Sequence, residues 1–169
     1  MSRLITCIWF VNNNAEEAIN YYVETFKSAP GNHEAARGDI TKVPKASKDA
    51  PFAMAEGSVL TAECELDGIS FMALNGGPMD QYKLNGSTSF IVECETQEEI
   101  DFFWEKLSAV KETEQCGWCT DKFGVTWQIV PRILDEMMRD PQKAEAVTAA
   151  FMPMKKIDLE TIKAAGEQR

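Results

Sequence analysis

The chain has 169 residues, 44% hydrophobic and 26% charged, which suits a globular protein of one domain or of two small modules. Its net charge of −10 argues against nucleic acid and anionic membrane surfaces as partners, because both bind clustered Lys and Arg. The five cysteines are irregularly spaced, no apolar run nears the ~20 residues of a membrane span, and no signal-peptide cleavage site is present, so we expect reduced thiols and a cytoplasmic location.

Apolar periodicity predicts one helix and four strands in the first half of the chain. The strands are expected at residues 4–11, 33–40, 58–66 and 69–74, and the helix at residues 15–26. Asn14 is the expected N-cap of this helix, with Glu17 closing a capping box. Asp67 and Gly68 are typical of a tight hairpin turn between the last two strands.

The stretch of residues 41–56 interrupts this pattern. It is rich in Lys and Pro, contains few large aliphatic residues and is longer than most connections in a compact domain. Loops of this kind are either lids over binding sites or insertions without a role, and the sequence leaves both alternatives open.

The second half of the chain repeats the order of strand, helix and strands. The strands are expected at residues 88–94, 114–118 and 124–130. A helix begins after Thr96, and Glu99 is placed to complete its capping box. The stretch CGWCTDKFGVTWQIVP, which starts at residue 116, contains a tight turn in which Asp121 suits the first position and Gly124 the last.

The repeated order indicates two modules, residues 1–84 and 85–131, followed by a helical extension over residues 132–169. The extension has an apolar face at helical spacing, formed by Ala144, Val147 and Phe151. Because this face must be buried, we expect part of the extension to pack on a second subunit.

Five segments together resemble the PhnB-like branch of the glyoxalase/bleomycin-resistance, or vicinal oxygen chelate, superfamily. They read FVNNNAEEAINYYVETF, GSVLTAECELDGISFMALNGGP, SFIVECETQEEIDFFWEKL, CGWCTDKFGVTWQIVP and FMPMKKIDL. The resemblance covers nearly the whole chain. It implies an α+β fold in which two βαβββ modules form cupped mixed β-sheets, and it implies a homodimer.

Members of this branch often carry the label 3-demethylubiquinone-9 3-methyltransferase. Methyltransferases that use S-adenosylmethionine usually need a Gly-rich turn between their first strand and helix, and no GxGxG sequence occurs here. We therefore expect no methyltransferase activity.

The resemblance also assigns positions to the metal ligands of metal-dependent relatives, which are His and Glu. In this sequence the ligand positions fall on Thr6, Ser89 and Gln128, and the fourth falls near Ala73. Hydroxyl and amide groups cannot replace imidazole and carboxylate for a transition metal, so we expect neither a metal nor another cofactor. The only histidine, His33, lies on a weakly predicted strand.

Cys116 and Cys119 have the spacing of a thioredoxin-like redox pair. That chemistry needs the first thiol at a helix N-terminus, whereas a turn and a strand are predicted here. A single pair of cysteines also provides too few ligands for a structural zinc site. We expect two incidental thiols.

The predicted ligand site consists of polar and aromatic side chains on the strands. It comprises Thr6, Glu63, Ser89, Trp118 and Gln128. For Glu63 the alternatives are an enclosed carboxylate, acting as a base or binding a cation, and a solvated surface group. The leading hypothesis is a small organic ligand bound in the cup without a metal. A metal-dependent glyoxalase or dioxygenase and a drug-sequestering protein are the alternatives, and no reaction can be deduced from these residues.

Overall fold

The computed structural model describes residues 4–45 and 54–167. The chain forms two compact units, Met1–Leu84 and Asn85–Arg169. Residues 46–53, the centre of the stretch considered as a lid, lie outside the described residues. Across the described parts of the chain, no helix combines the length and apolar character needed to cross a membrane.

The first unit is a βαβββ module, as predicted. Its elements are β1 (Thr6–Phe10), α1 (Ala15–Ser28), β2 (Ala35–Lys42), β3 (Val59–Leu66) and β4 (Ile69–Asn75). The strand order in the sheet is β1-β4-β3-β2. β1 runs parallel to β4, and the two other pairs are antiparallel.

One face of the first sheet packs against α1, and the alternation of side chains determines which residues lie there. The buried strand residues are Ile8, Phe10, Ala62, Cys64, Leu66, Phe71 and Ala73, and the buried helix residues include Ala18, Ile19, Tyr22 and Phe26. The other side, the α1-distal face, consists of Cys7, Trp9, Thr61, Glu63, Met72 and Leu74. These residues are all partly or fully exposed.

The start of α1 is fixed by a residue distant in sequence. Asn14 is the N-cap, as predicted, but its side chain makes no capping hydrogen bond. Instead, the backbone N–H of Ala15 donates to Oδ1 of the buried Asn75 at 2.9 Å, and Nδ2 of Asn75 donates to the carbonyl of Val59 at 3.0 Å. Asn75 therefore joins α1 to the end of β4 and the start of β3. The predicted capping box at Asn14 was wrong.

The second unit contains β5 (Phe90–Cys94), α2 (Gln97–Leu107), β6 (Trp118–Thr120) and β7 (Thr126–Pro131). Its strand order is β5-β7-β6, and the predicted Thr96–Glu99 capping box is present. The α+β fold class with two mixed sheets is thus confirmed. Within residues 85–167 the module has three strands, whereas the resemblance implied four. The strand predicted at residues 114–118 lies instead at Trp118–Thr120, because residues 115–118 form a turn.

Three helices complete the second unit: α3 (Ile133–Arg139), α4 (Ala144–Phe151) and α5 (Leu159–Glu167). They share a small core formed by Met137, Val147, Ile157, Ile162 and Ala165, with Phe151 packed against it. The apolar face of the extension is therefore buried within its own chain, and Val147 is fully inaccessible. This face gives no reason to require a second subunit, contrary to our argument from the sequence.

Glu114 links the extension to the rest of the second unit. Its carboxylate is 5% exposed and accepts hydrogen bonds from Lys111 at 2.8 Å, Ser108 at 2.7 Å and Lys155 at 3.2 Å. The hydrogen bonds from Lys111 and Ser108, and then that from Lys155, lower the pKa of Glu114 from 4.5 to about 2. The carboxylate is thus more stable ionised in the folded chain than in the unfolded chain.

This pKa shift predicts a pH-dependent stability. Because its pKa is depressed, the ionised carboxylate of Glu114 contributes its full stabilisation above pH 4.5. This contribution is lost as the pH falls from 4.5 through about 2. We expect Glu114→Gln to cost about 2 kcal/mol of unfolding free energy at pH 7. The difference from wild type, measured by urea denaturation, should shrink between pH 4.5 and 2. A difference that stays constant over this range would contradict the assignment.

Candidate functional site

Three of the five predicted site residues lie together on the second sheet. Nε2 of Gln128 donates to Oγ of Ser89 at 2.8 Å. Trp118 is the register partner of Gln128 on β6, and Ile91 is its partner on β5. Register partners on one face place their side chains in contact range, so the indole of Trp118 lies beside the amide.

These residues face away from α2. The side packed against α2 contains Val92, Cys119, Trp127 and Ile129, all at most 5% exposed. The opposite side, the α2-distal face, includes Ser89, Ile91, Glu93, Trp118, Gln128 and Val130. Ile91 is 59% exposed, Glu93 is also exposed, and the others are partly exposed. The face therefore combines an amide, a hydroxyl, an indole and a carboxylate with aliphatic surface.

The two remaining predicted residues, Thr6 and Glu63, lie on opposite faces of the first sheet. Thr6 is in register with Phe71, which is in register with the buried Cys64 on the side of α1. Glu63 is in register with Met72 on the α1-distal face. Thr6 therefore does not join Glu63, and the expectation that the two share one pocket was wrong.

The α1-distal face also contains an aromatic pair that the sequence did not reveal. The rings of Trp9 and Tyr82 have their centroids 4.5 Å apart, and Nε1 of Trp9 donates to the carbonyl of Gly77 at 3.1 Å. A Cβ atom on Gly76 would overlap the indole of Trp9. Tyr82 lies in a short 3₁₀ turn after β4, and no local pattern links it to a strand residue more than seventy positions earlier.

The positions that the resemblance assigns to metal ligands do not suit a transition metal. Ser89 and Gln128 offer a hydroxyl and an amide, and Ala73 is buried on the side of α1 without a donor. Among residues 4–45 and 54–167, no group of three or more His, Cys, Asp and Glu side chains could hold a metal ion. The positions that the resemblance assigns to metal ligands therefore carry neither imidazole nor carboxylate.

The family model described as 3-demethylubiquinone-9 3-methyltransferase matches residues 2–130, about three quarters of the chain. The chain belongs to this PhnB-like family. The match ends at residue 130, within β7, so the three C-terminal helices of this PhnB-like protein lie beyond it. No curated protein matches the chain.

Solved structures of similar proteins agree with the fold. The PhnB protein of Bacillus cereus is 27% identical, with a TM-score of 0.56, and the match covers 76% of this chain and 99% of that one. A protein of Pseudomonas aeruginosa is 18% identical, with a TM-score of 0.50 and coverage of 78% and 98%. At that identity, the second likeness concerns the fold alone.

The CGWC motif of the PhnB-like protein lies partly in a turn and partly in a strand. Cys116 precedes β6 with a φ of 39°, and Cys119 is buried within β6. Burial raises the pKa of both thiols, and that of Cys119 reaches about 12 through burial and then the charges of Asp121 and Glu114. A redox thiol needs a lowered pKa, so the environment disfavours thiolate chemistry.

We therefore expect the two cysteines to be inactive in disulfide exchange. The double replacement Cys116→Ser, Cys119→Ala should leave the far-UV circular dichroism spectrum unchanged. Neither protein should reduce insulin in a turbidity assay. Activity in the wild type that disappears in the double variant would contradict this expectation.

A surface cavity of about 390 Å³ in the first unit lies away from the predicted residues. It is lined by Lys27, His33, Glu34, Ala35, Ala36 and Glu65. Nδ1 of His33 lies 2.8 Å from Oδ2 of Asp67, whose Oδ1 accepts the N–H of Glu34 at 2.8 Å. These bonds fasten the start of β2 to the hairpin between β3 and β4, which gives His33 a structural role.

Proposed function

We propose that this PhnB-like protein binds a small organic molecule, without a metal ion, on the α2-distal face. The observation that supports the proposal best is the hydrogen bond between Gln128 and Ser89, with Trp118 in register beside it. Ligand sites commonly combine a few fixed polar groups with aromatic and aliphatic surface. The amide can donate to a ligand or accept from it, and the indole offers a stacking surface.

Charge favours a neutral or cationic ligand. The chain carries a net charge of −10, and the exposed Glu93 lies on the α2-distal face as the register partner of Val130. Thr6 and Glu63 lie in the first unit and are not part of this face. The same acidity is the feature that favours the alternative of a sequestering protein of the bleomycin-resistance kind.

The glyoxalase or dioxygenase alternative requires a metal site, and the hydroxyl and amide groups at its expected ligand positions are poor ligands for a transition metal. The methyltransferase in the family's description requires S-adenosylmethionine, and the connection between β1 and α1 reads VNNN, without the glycines that approach that cofactor. We expect no heat of binding when S-adenosylmethionine is titrated into the protein.

A library of small amines, alcohols and aromatic amides, screened by ligand-detected NMR, tests the proposal. Binders should lose affinity at least about tenfold with Gln128→Ala, as expected when a hydrogen bond is lost in a site that buries its ligand. The matched control is Gln142→Ala, which removes an exposed glutamine from the same unit. Equal affinity for both variants would place the ligand elsewhere and overturn the proposal. Turnover of a binder, against stoichiometric binding, distinguishes an enzyme from a sequestering protein.

We also propose that the protein is a cytoplasmic homodimer. The described cysteines Cys7, Cys64, Cys94, Cys116 and Cys119 are all unpaired, which fits a reducing compartment. Light scattering at micromolar concentration tests the dimer, and a monomer mass would contradict it.

A further inference from the structure

The residues between α4 and α5 contact the turn that leads into Trp118. We call residues 152–159, which end on the first residue of α5, the clamp segment. The turn itself is closed by two hydrogen bonds, from the N–H of Gln115 to the carbonyl of Trp118 at 3.1 Å and from the N–H of Trp118 to the carbonyl of Gln115 at 2.7 Å. Its central residues Cys116 and Gly117 have φ angles of 39° and 87°, so the turn is of type I′.

The clamp segment accepts the hydrogen bonds that this turn would otherwise offer to water. The N–H of Cys116 donates to the carbonyl of Met154 at 2.6 Å, and the N–H of Gly117 donates to that of Lys155 at 2.8 Å. Nε2 of Gln115 donates to the carbonyl of Met152. Cysteine rarely adopts a positive φ, because its Cβ crowds the backbone there. The two hydrogen bonds to the clamp segment help to hold this unfavourable conformation.

Side chains attach the clamp segment on both sides of the turn. Nζ of Lys155 lies 3.2 Å from Oε2 of Glu114, the residue directly before Gln115. On the side of α2, Nζ of Lys156 lies 2.6 Å from Oδ1 of Asp101. The side chain of Gln97 donates to the carbonyl of Ile157 at 3.2 Å and accepts the N–H of Leu159 at 2.8 Å.

We propose that the clamp segment is a positioning element for Trp118, which it orients on the α2-distal face through the type I′ turn. This inference rests on the proposed function, since it gives the clamp segment a role in ligand affinity. The clamp segment lies beyond residue 130, where the family match ends. It contacts the three residues that immediately precede Trp118, and hence controls the backbone from which the indole projects.

The test loosens the clamp segment without removing it. Lys155→Met breaks the ion pair but leaves Glu114 its bonds to Lys111 and Ser108, so the full chain should remain folded. Lys155→Arg restores the charge and should rescue the variant. The matched control is Lys163→Met, which breaks the ion pair of Lys163 with Glu160 within α5.

Amide hydrogen exchange and the indole resonance of Trp118, both followed by NMR, are the first measurements. In Lys155→Met, the amides of Cys116 and Gly117 should exchange at least about fivefold faster, while the amide of Phe103 in α2 is unchanged. The indole N–H resonance of Trp118 should shift, whereas that of Trp127 should not. Both effects should be absent in Lys163→Met and reversed in Lys155→Arg.

Unchanged exchange at Cys116 and Gly117, or an unchanged Trp118 resonance, would overturn the inference. These measurements need no ligand, so they remain decisive if the screened library contains no binder and the proposed function fails. Where binders exist, their affinity should fall at least about threefold in Lys155→Met and recover in Lys155→Arg. An affinity that stays constant while the resonance shifts would show that the clamp segment has no role in binding.

Discussion

Replacing Asp121 with alanine is expected to lower the free energy of unfolding by about 3 kcal/mol or more, the largest effect we predict for a single residue. Asp121 is 1% exposed and begins the turn between β6 and β7. Its Oδ1 accepts the N–H groups of Phe123 at 2.8 Å and Val125 at 3.0 Å, and its Oδ2 accepts Nε1 of Trp127 at 2.8 Å. Alanine would remove the acceptor for three donors, two of them in buried residues.

Urea denaturation followed by circular dichroism measures this loss. Asp121→Asn should cost less, because an amide keeps the shape and one acceptor oxygen but presents a donor in place of the second oxygen. Glu105→Ala is the control, since the side chain of Glu105 is 79% exposed on α2 of the same unit and its loss should fall within about 0.5 kcal/mol. A cost below about 1 kcal/mol for Asp121→Ala would contradict the role assigned to its carboxylate.

The second large effect is expected for Gly76→Ala, which should cost about 2–3 kcal/mol. The new Cβ would overlap the indole of Trp9, and this ring cannot move freely. The ring of Tyr82 packs on the indole with 4.5 Å between the ring centroids, and Nε1 of Trp9 donates a hydrogen bond to the carbonyl of Gly77. Relief of the overlap therefore requires the loss of that hydrogen bond, of the ring contact or of backbone geometry.

Two further variants isolate the cause of the effect. Gly86→Ala should be nearly neutral, because a Cβ on Gly86 meets no atom within 4 Å. In a Trp9→Leu background, Gly76→Ala should cost much less than in the wild type, as a double-mutant cycle measures. Equal costs in both backgrounds would show that the overlap with the indole is not the reason.

The local features of the fold were predictable from the sequence because they depend on neighbouring residues. Asp121 and Gly124 were predicted to begin and end a turn, and they do, with Gly124 at a φ of 89°. The capping box of Thr96 and Glu99 also depends on residues three positions apart. In each case the deciding contacts join residues three positions apart, so the residue types and their spacing are enough to predict the turn and the cap.

The features that sequence reasoning missed depend on contacts between distant residues. Asn75 caps α1 from sixty positions away, and no property of Asn14 reveals that its own side chain is not used. The face occupied by Thr6 follows from the register of β1 on β4, and a shift of one residue would reverse it. The contact between the clamp segment and the Cys116 turn likewise joins backbone groups, which no side-chain pattern records.

NMR detection of ligand binding with and without metal is the most direct test of the central claim, that the α2-distal face binds a small organic molecule without a metal. Binders from the amine, alcohol and amide library should perturb the side-chain amide of Gln128 and the indole of Trp118. The perturbation should be the same after treatment with EDTA and after addition of Zn²⁺, Ni²⁺ or Mn²⁺. Binding that appears only with one of these ions, or that leaves both resonances unmoved, would contradict the account.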